Sequence, residues 1–171
     1  MRRHATRAGL RRSGIMRFLI PALFLLCAPA AAQSLSPEAQ AMLAAHNQVR
    51  EKVGVPPLSW SDTLTQAAAS WAQHLVETGR FEHESGSPYG ENLYAITGAT
   101  ASPAQVVQAW ASEAKNYDLS SNQCSGVCGH YTQIVWKGTQ RVGCAARRSG
   151  GRQVWDCKYD PPGNVVGYRP H

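Results

Sequence analysis

Two histidines and two glutamates, His83, Glu91, Glu113 and His130, are the side chains of this 171-residue chain best suited to chemistry. A neutral imidazole nitrogen binds a divalent cation such as Zn2+, and a carboxylate beside it serves as ligand, orienting partner or general base. His83 lies upstream of Gly90-Glu91-Asn92, Glu113 follows Trp110 by three residues, and His130 opens the run Tyr131-Thr132-Gln133-Ile134-Val135-Trp136. No spacing among the four matches a compact zinc signature such as H-E-x-x-H. Residue type alone therefore leaves two readings open. One is a cation site with His83 and His130 as ligands, extending to a metal-dependent hydrolase in which Glu91 or Glu113 is the base. The other is a hydrogen-bonded polar cluster that ties loop, helix and strand together.

Neighbouring residues carry weaker signals. His74 is the alternative to His83 but lies one helix earlier in the chain. Ser85 and Ser87 flank His83, yet neither sits in a nucleophile elbow, so Ser–His–Glu proteolysis has little support. His46, within Ala45-His46-Asn47, reads as a packing and capping residue. Trp60, Trp71, Trp110, Trp136 and Trp155 are dispersed among the expected elements, which fits a core rather than a carbohydrate-binding strip.

The elements that must position these groups are legible from caps and periodicity. Ser36-Pro37 predicts the start of a helix that Gly54-Val55-Pro56-Pro57 ends. A second helix runs from Asp62 to about Thr78, with Leu64, Ala68, Trp71 and Leu75 at helical spacing and Gly79 as its stop. Glu91–Ile96 predicts a short strand. Ser102-Pro103 opens a third helix, carrying Glu113, to about Tyr117. The segment from His130 reads as a strand, with Tyr131 and Gln133 on one face and His130 and Thr132 on the face toward a cleft.

Gly150-Gly151 between Arg141–Arg148 and Arg152–Tyr159 predicts a two-residue hairpin, because a type I′ turn needs positive φ at both central positions. With those glycines as the turn, Cys144 falls opposite Cys157 at a narrow pair within disulfide reach. Cys124 then pairs with Cys128 as a short clamp before His130.

The first 32 residues read as a secretory signal peptide: six arginines, an apolar run from Phe18 to Ala28, and small residues through Ala32. Met16 is an alternative start. That run is too short to span a membrane, so no transmembrane anchor is expected after cleavage. Without the leader's six arginines, 11 Lys+Arg balance 11 Asp+Glu, and nothing in the charge points to nucleic acid. Residues 33–171 are expected to form a single domain in an oxidising compartment, secreted or periplasmic.

Taken in order, Gly129-His130-Tyr131-Thr132-Gln133, Gly143-Cys144 and Tyr159-Asp160-Pro161-Pro162-Gly163-Asn164 resemble the signature motifs of the CAP superfamily (cysteine-rich secretory proteins, antigen 5, pathogenesis-related 1). The look is nearest to the pathogenesis-related 1 branch. The resemblance implies an α+β fold, a three-layer α-β-α sandwich around a mixed, mainly antiparallel sheet. It implies that His83, Glu91, Glu113 and His130 line one cleft, with Zn2+ or another divalent cation as an optional ligand and no cofactor required. It also implies extracellular binding of a lipid- or sterol-like apolar ligand or a cell-envelope partner, or a defence role against microbes. Two cysteines common in that branch are replaced by the Arg80-Phe81-Glu82 and Ala145–Arg148 segments. That loss, with the Arg- and Ala-rich leader, fits a bacterial member.

Overall fold

Ser36, Ser61 and Ser102 each start a helix by accepting a hydrogen bond from a backbone N–H three residues on. The helices they open, in a computed structural model that describes residues 34–171, are α1 (Pro37–Lys52), α2 (Asp62–Thr78) and α3 (Pro103–Ala111). Gly79 closes α2 at φ 73°, and Ser102 and Gln105 form a reciprocal capping box on α3. A 3-10 turn, Ser112–Asn116, continues α3 and carries Glu113. The expected leader, with Met16 and the cleavage site after Ala32, lies outside the described residues.

Strands β1 (Ser59–Trp60), β2 (Gly90–Thr97), β5 (Arg141–Ser149) and β6 (Arg152–Asp160) form one sheet in the order β1-β5-β6-β2. Only the β1–β5 pair is parallel. The short strands β3 (Tyr117–Asp118) and β4 (Gln123–Cys124) pair separately. In the β5–β6 hairpin, Ser149 faces Arg152 and Cys144 faces Cys157, while Gly150 and Gly151 take φ of 55° and 78°. The sequence register is thus the observed one. Cys144–Cys157 closes at a Cα–Cα distance of 4.1 Å and Cys124–Cys128 at 6.0 Å.

The sheet is covered on both faces. Leu75 and Val76 of α2 pack on Leu93 and Val154. The opposite face buries Trp155, Tyr159 and the Cys144–Cys157 bridge against Met42, Val106, Trp110 and Ile134 from α1, α3 and the segment after Gly129. This is the three-layer sandwich. Gly143 marks the closest approach of α2: a Cβ there would lie 2.5 Å from the Ser61 carbonyl oxygen and 2.7 Å from the Leu64 carbonyl carbon.

The segment expected as a strand from His130 is a helix, α4 (Gly129–Ile134). Thr132 N–H donates to the Cys128 carbonyl at 3.0 Å and Val135 N–H to that of Tyr131 at 3.1 Å. Its β-favouring residues are overruled by tertiary partners. Tyr131, Thr132, Gln133 and Ile134 are all buried, so the alternation that would have split them into two faces does not occur. Gln133 accepts from Gly163 N–H at 2.9 Å, and Thr132 donates to Asn164 Oδ1 at 2.7 Å, locking α4 to the Pro-Pro-Gly-Asn turn.

A buried polar chain runs through the larger core. His46 Nδ1 donates to the Met42 carbonyl at 2.8 Å, and its Nε2 accepts from Tyr159 Oη at 2.8 Å. Tyr159 Oη accepts from Asn92 Nδ2 at 3.1 Å, and the same amide donates to the His130 carbonyl at 3.0 Å. Nearby, the buried Arg50 guanidinium donates to the carbonyls of Pro56, Ile134, Trp136 and Thr139. Burial, reinforced by Arg50 and opposed by the Met42 hydrogen bond, lowers the His46 pKa from 6.5 to about 4.

Two outcomes follow from this packing. Gly143→Ala must push β5 and α2 apart and should lower stability by about 1–3 kcal/mol, read as a reduced urea midpoint. The unfolded chain protonates His46 near pH 6.5 and the folded chain only near 4, so its contribution is complete above 6.5 and is lost as pH falls toward 4. That loss should amount to about 3 kcal/mol; urea unfolding at pH 7 and pH 4 should show His46→Gln without this component, and equal losses in both proteins would contradict it.

Candidate functional site

Strand alternation distributes the chemical groups. Glu91 is opposite Lys158 and Asn92 is opposite Cys157 across β2–β6. Successive residues point to opposite faces, so Glu91 and Lys158 face α2 while Asn92 reaches toward α4. Glu91, almost fully buried, pairs through Oε1 with His83 Nδ1 and through Oε2 with Lys158 Nζ. It also accepts from Glu84 N–H at 3.3 Å. His83 itself, in the loop 79–89, is 67% exposed in its side chain.

On the other side of β2, Glu113 Oε1 lies 2.7 Å from His130 Nδ1. Its Oε2 accepts from the backbone N–H of His130 at 3.1 Å and of Tyr131 at 3.4 Å. Cys128 provides no side-chain cap to α4. Glu113 supplies one from the 3-10 turn, placing a carboxylate where the first helical N–H groups need acceptors. The His130 ring stacks on Trp110 at 6.0 Å between centroids, and Trp110 Nε1 donates to the Leu93 carbonyl at 3.1 Å.

The structure therefore joins His83 to Glu91 and His130 to Glu113, as two pairs. Among the described residues no three donors of this set come within 4.8 Å of one another. In each pair the carboxylate engages Nδ1, which fixes the ring and leaves Nε2 without a protein partner among the described residues. His74 is stacked on Trp71 of α2, 4.7 Å between centroids. The trio that does meet that distance, His46, Cys144 and Cys157, cannot take an ion. Its sulfurs form a disulfide and both His46 nitrogens are already hydrogen-bonded.

Lys158 is the site residue that sequence reasoning misses. Fully buried, its ammonium lies 2.8 Å from Glu84 Oε2 and 3.1 Å from Asp156 Oδ2, besides its contact with Glu91. Burial alone would lower its pKa, but Asp156, Glu84 and Glu91 outweigh burial and raise it. Burial pushes the Asp156 carboxyl up to about 8, opposed by Lys158 and reinforced by Glu91. Among the described residues the Asp156 carboxyl has no polar partner other than the Lys158 ammonium, 3.1 Å from Oδ2. The signal was available only through the β2–β6 register, which sets Lys158 beside Glu91.

A cavity of about 430 Å³ opens between the Cys124–Cys128 loop, the first turn of α4 and the C-terminal segment 164–170. Its rim exposes Val127 (65%), Val166 (95%) and Tyr168 (69%). Asn164 Nδ2 donates to the Gly129 carbonyl at 2.9 Å, and Arg169 Nη2 to that of Ser120 at 3.0 Å, so both ends of the segment are tied down. Gly129 and Thr132 line this cavity, and His130 stands on the same helix between them.

Comparison with known proteins agrees with this architecture. Residues 43–159 match the cysteine-rich secretory protein family, CAP. The chain is 41% identical to pathogenesis-related protein 1 of Arabidopsis thaliana over 160 residues, 93% of this chain and 98% of that protein. It is 43% identical to pathogenesis-related protein 1A of Nicotiana tabacum over 135 residues, 77% and 80% of the two chains. Both are plant proteins and lend no support to a bacterial source. Venom allergen-like protein 4 of Schistosoma mansoni shares the fold with a TM-score of 0.66 and 27% identity, over 80% of this chain and 95% of that one. NaASP2, solved with Zn2+, superimposes with a TM-score of 0.66 at 24% identity, over 80% and 86%. No helix among the described residues is long and apolar enough to cross a membrane. With its signature residues seated in this sandwich, the chain belongs to the cysteine-rich secretory protein (CAP) family, a family of secreted type.

Proposed function

We propose that this chain is an exported, non-catalytic binding protein, acting outside the cytoplasm or in a periplasm once residues 1–32 are removed. Its ligand is a small apolar molecule of lipid or sterol type. The observation that carries this reading is the groove beside α4. Its volume lies within the roughly 300–1,000 Å³ usual for small-molecule sites, and exposed Val127, Val166 and Tyr168 rim it. Exposed apolar side chains gathered at one opening mark a binding surface more strongly than the same residues scattered singly. A cell-envelope component would present the same chemistry through its acyl chains. A defence role would be one use of such binding.

The His–Glu pairs support a second property, cation binding at two places, His130 beside the groove and His83 on the α2-facing side of the sheet. A histidine whose Nδ1 is held by a carboxylate is oriented to ligate metal through Nε2, so His83 and His130 are the residues that would hold a divalent cation such as Zn2+. A bound Zn2+ would supply Lewis-acid polarisation of an oxygen. The carboxylates argue against hydrolysis. Glu91 is committed to His83, Lys158 and the Glu84 amide, and Glu113 to His130 and the α4 amides. Neither is free to act as a general base.

Native mass spectrometry of secreted protein, with and without an added sterol or fatty acid, tests the ligand. Val166→Asp combined with Tyr168→Ala should weaken the complex by about tenfold or more, equivalent to roughly 1.4 kcal/mol; undiminished binding would remove the groove. For the metal, titration calorimetry should give a Zn2+ heat that His83→Ala and His130→Ala each reduce. Equal heats in wild type and both variants would dismiss the pair as ligands.

A further inference from the structure

We infer that Lys158 is a tethered cation: its ammonium fills a three-acid site made by Glu84, Glu91 and Asp156, and so docks the His83 loop in place of a soluble divalent ion. This goes beyond the apolar-ligand reading and concerns the opposite, α2-facing side of the sheet. Three acidic side chains come from three places, the loop 79–89, β2 and β6, and all three reach one nitrogen. The Glu84 and Glu91 carboxylates do not converge in a buried corner without a cation between them, and the Asp156 carboxyl, pushed up to about 8 by burial, completes the set as a further oxygen donor. Lys158 and Asp156 are fully buried, and Asp156 Oδ2, with no other partner among the described residues, lies 3.1 Å from that centre. Glu84 is 36% exposed in its side chain, which leaves a solvent-facing side to the cluster.

The arrangement has a mechanical consequence. The middle of the loop is tied to the body through this corner: His83 to Glu91, the Glu84 amide to Glu91, the Glu84 carboxylate to Lys158, and the Glu82 carbonyl to Trp71 Nε1 at 3.1 Å, while its start is held separately by Arg152, which donates to the Gly79 and Arg80 carbonyls. The Lys158 ammonium also lies 5.9 Å from the centre of the Trp71 ring. Loss of the ammonium would set Glu84 against Glu91 and release the loop that carries His83. Lys158 is therefore a positioning residue for His83. It also spends the Glu91 carboxylate on an internal cation, leaving Glu91 to orient His83 but not to bind metal directly.

A ligand of the same chemistry can replace a tethered one. Lys158→Met empties the centre and leaves a carboxylate set suited to a hard, oxygen-preferring cation such as Ca2+. Calcium is the probe because imidazole has little preference for it, which separates this corner from any Zn2+ held by the histidines. The expected result is that Lys158→Met gains Ca2+ binding with a Kd of about 1 mM or tighter, while wild type shows none. Hydrogen exchange of residues 80–89 should be insensitive to chelator in wild type. In Lys158→Met it should be fast with chelator and slow with Ca2+, and Glu91→Gln added to that variant should abolish the effect. A folded Lys158→Met that ignores Ca2+, or a wild type that binds it through Glu91, overturns the inference. Should Lys158→Met fail to fold with or without Ca2+, Lys158→Met/Asp156→Asn, which removes the most buried acid as well, decides. Ca2+ protection of its loop supports the tether, and no protection refutes it. Failure of apolar-ligand binding would leave all these outcomes unchanged.

Discussion

The pairing register of β6 against β2 governs where Glu91, Asn92 and Lys158 end up, and through them how His83 and the His130 carbonyl are held. A shift of one residue would exchange the two faces of β2, turning Glu91 toward α4 and Asn92 toward α2. In the observed register Asn92 closes the chain from His46 through Tyr159 to the His130 carbonyl, while Glu91 meets Lys158 and His83. The Cys144–Cys157 bridge fixes β5 to β6 next to this pairing. Position on the sheet, more than proximity in sequence, decides what each acid does.

Each carboxylate of the tetrad serves structure and chemistry at once. Glu113 caps a six-residue helix too short to be stable alone, and the same carboxylate orients the His130 ring. Glu91 holds the His83 loop through a buried ammonium. Both histidines are consequently fixed by elements outside their own segment, and both present the nitrogen that the carboxylate does not use. The apolar groove adjoins one of these helices, so ligand contact at Gly129 or Thr132 bears directly on the segment that carries His130.

How much of this is legible in the sequence depends on the range of the forces involved. The Gly150-Gly151 turn is local, and it dictates the hairpin, the facing cysteines and both disulfides. The serine caps and the Gly79 stop are local too, and the first two helices fall where periodicity places them. By contrast α4 reads as a strand, because Tyr131, Thr132, Ile134 and Val135 favour β-structure. The partners that make it helical, Glu113, Gly163 and Asn164, come from distant segments. Lys158 and Asp156 look like ordinary strand residues until β2 is laid beside them. Arg50, near the end of α1, satisfies four carbonyls contributed by the loop just after α1, the end of α4 and the loop that follows α4, partners that no local pattern reveals.

The central claim is that the four tetrad side chains work as two independent His–Glu pairs separated by β2. Double-mutant cycles on stability in metal-free buffer measure this directly. His83 with Glu91 and His130 with Glu113 should each show clear coupling. Glu91 with His130 and His83 with Glu113 should be additive within about 0.5 kcal/mol. Coupling across the pairs as strong as within them would contradict the account.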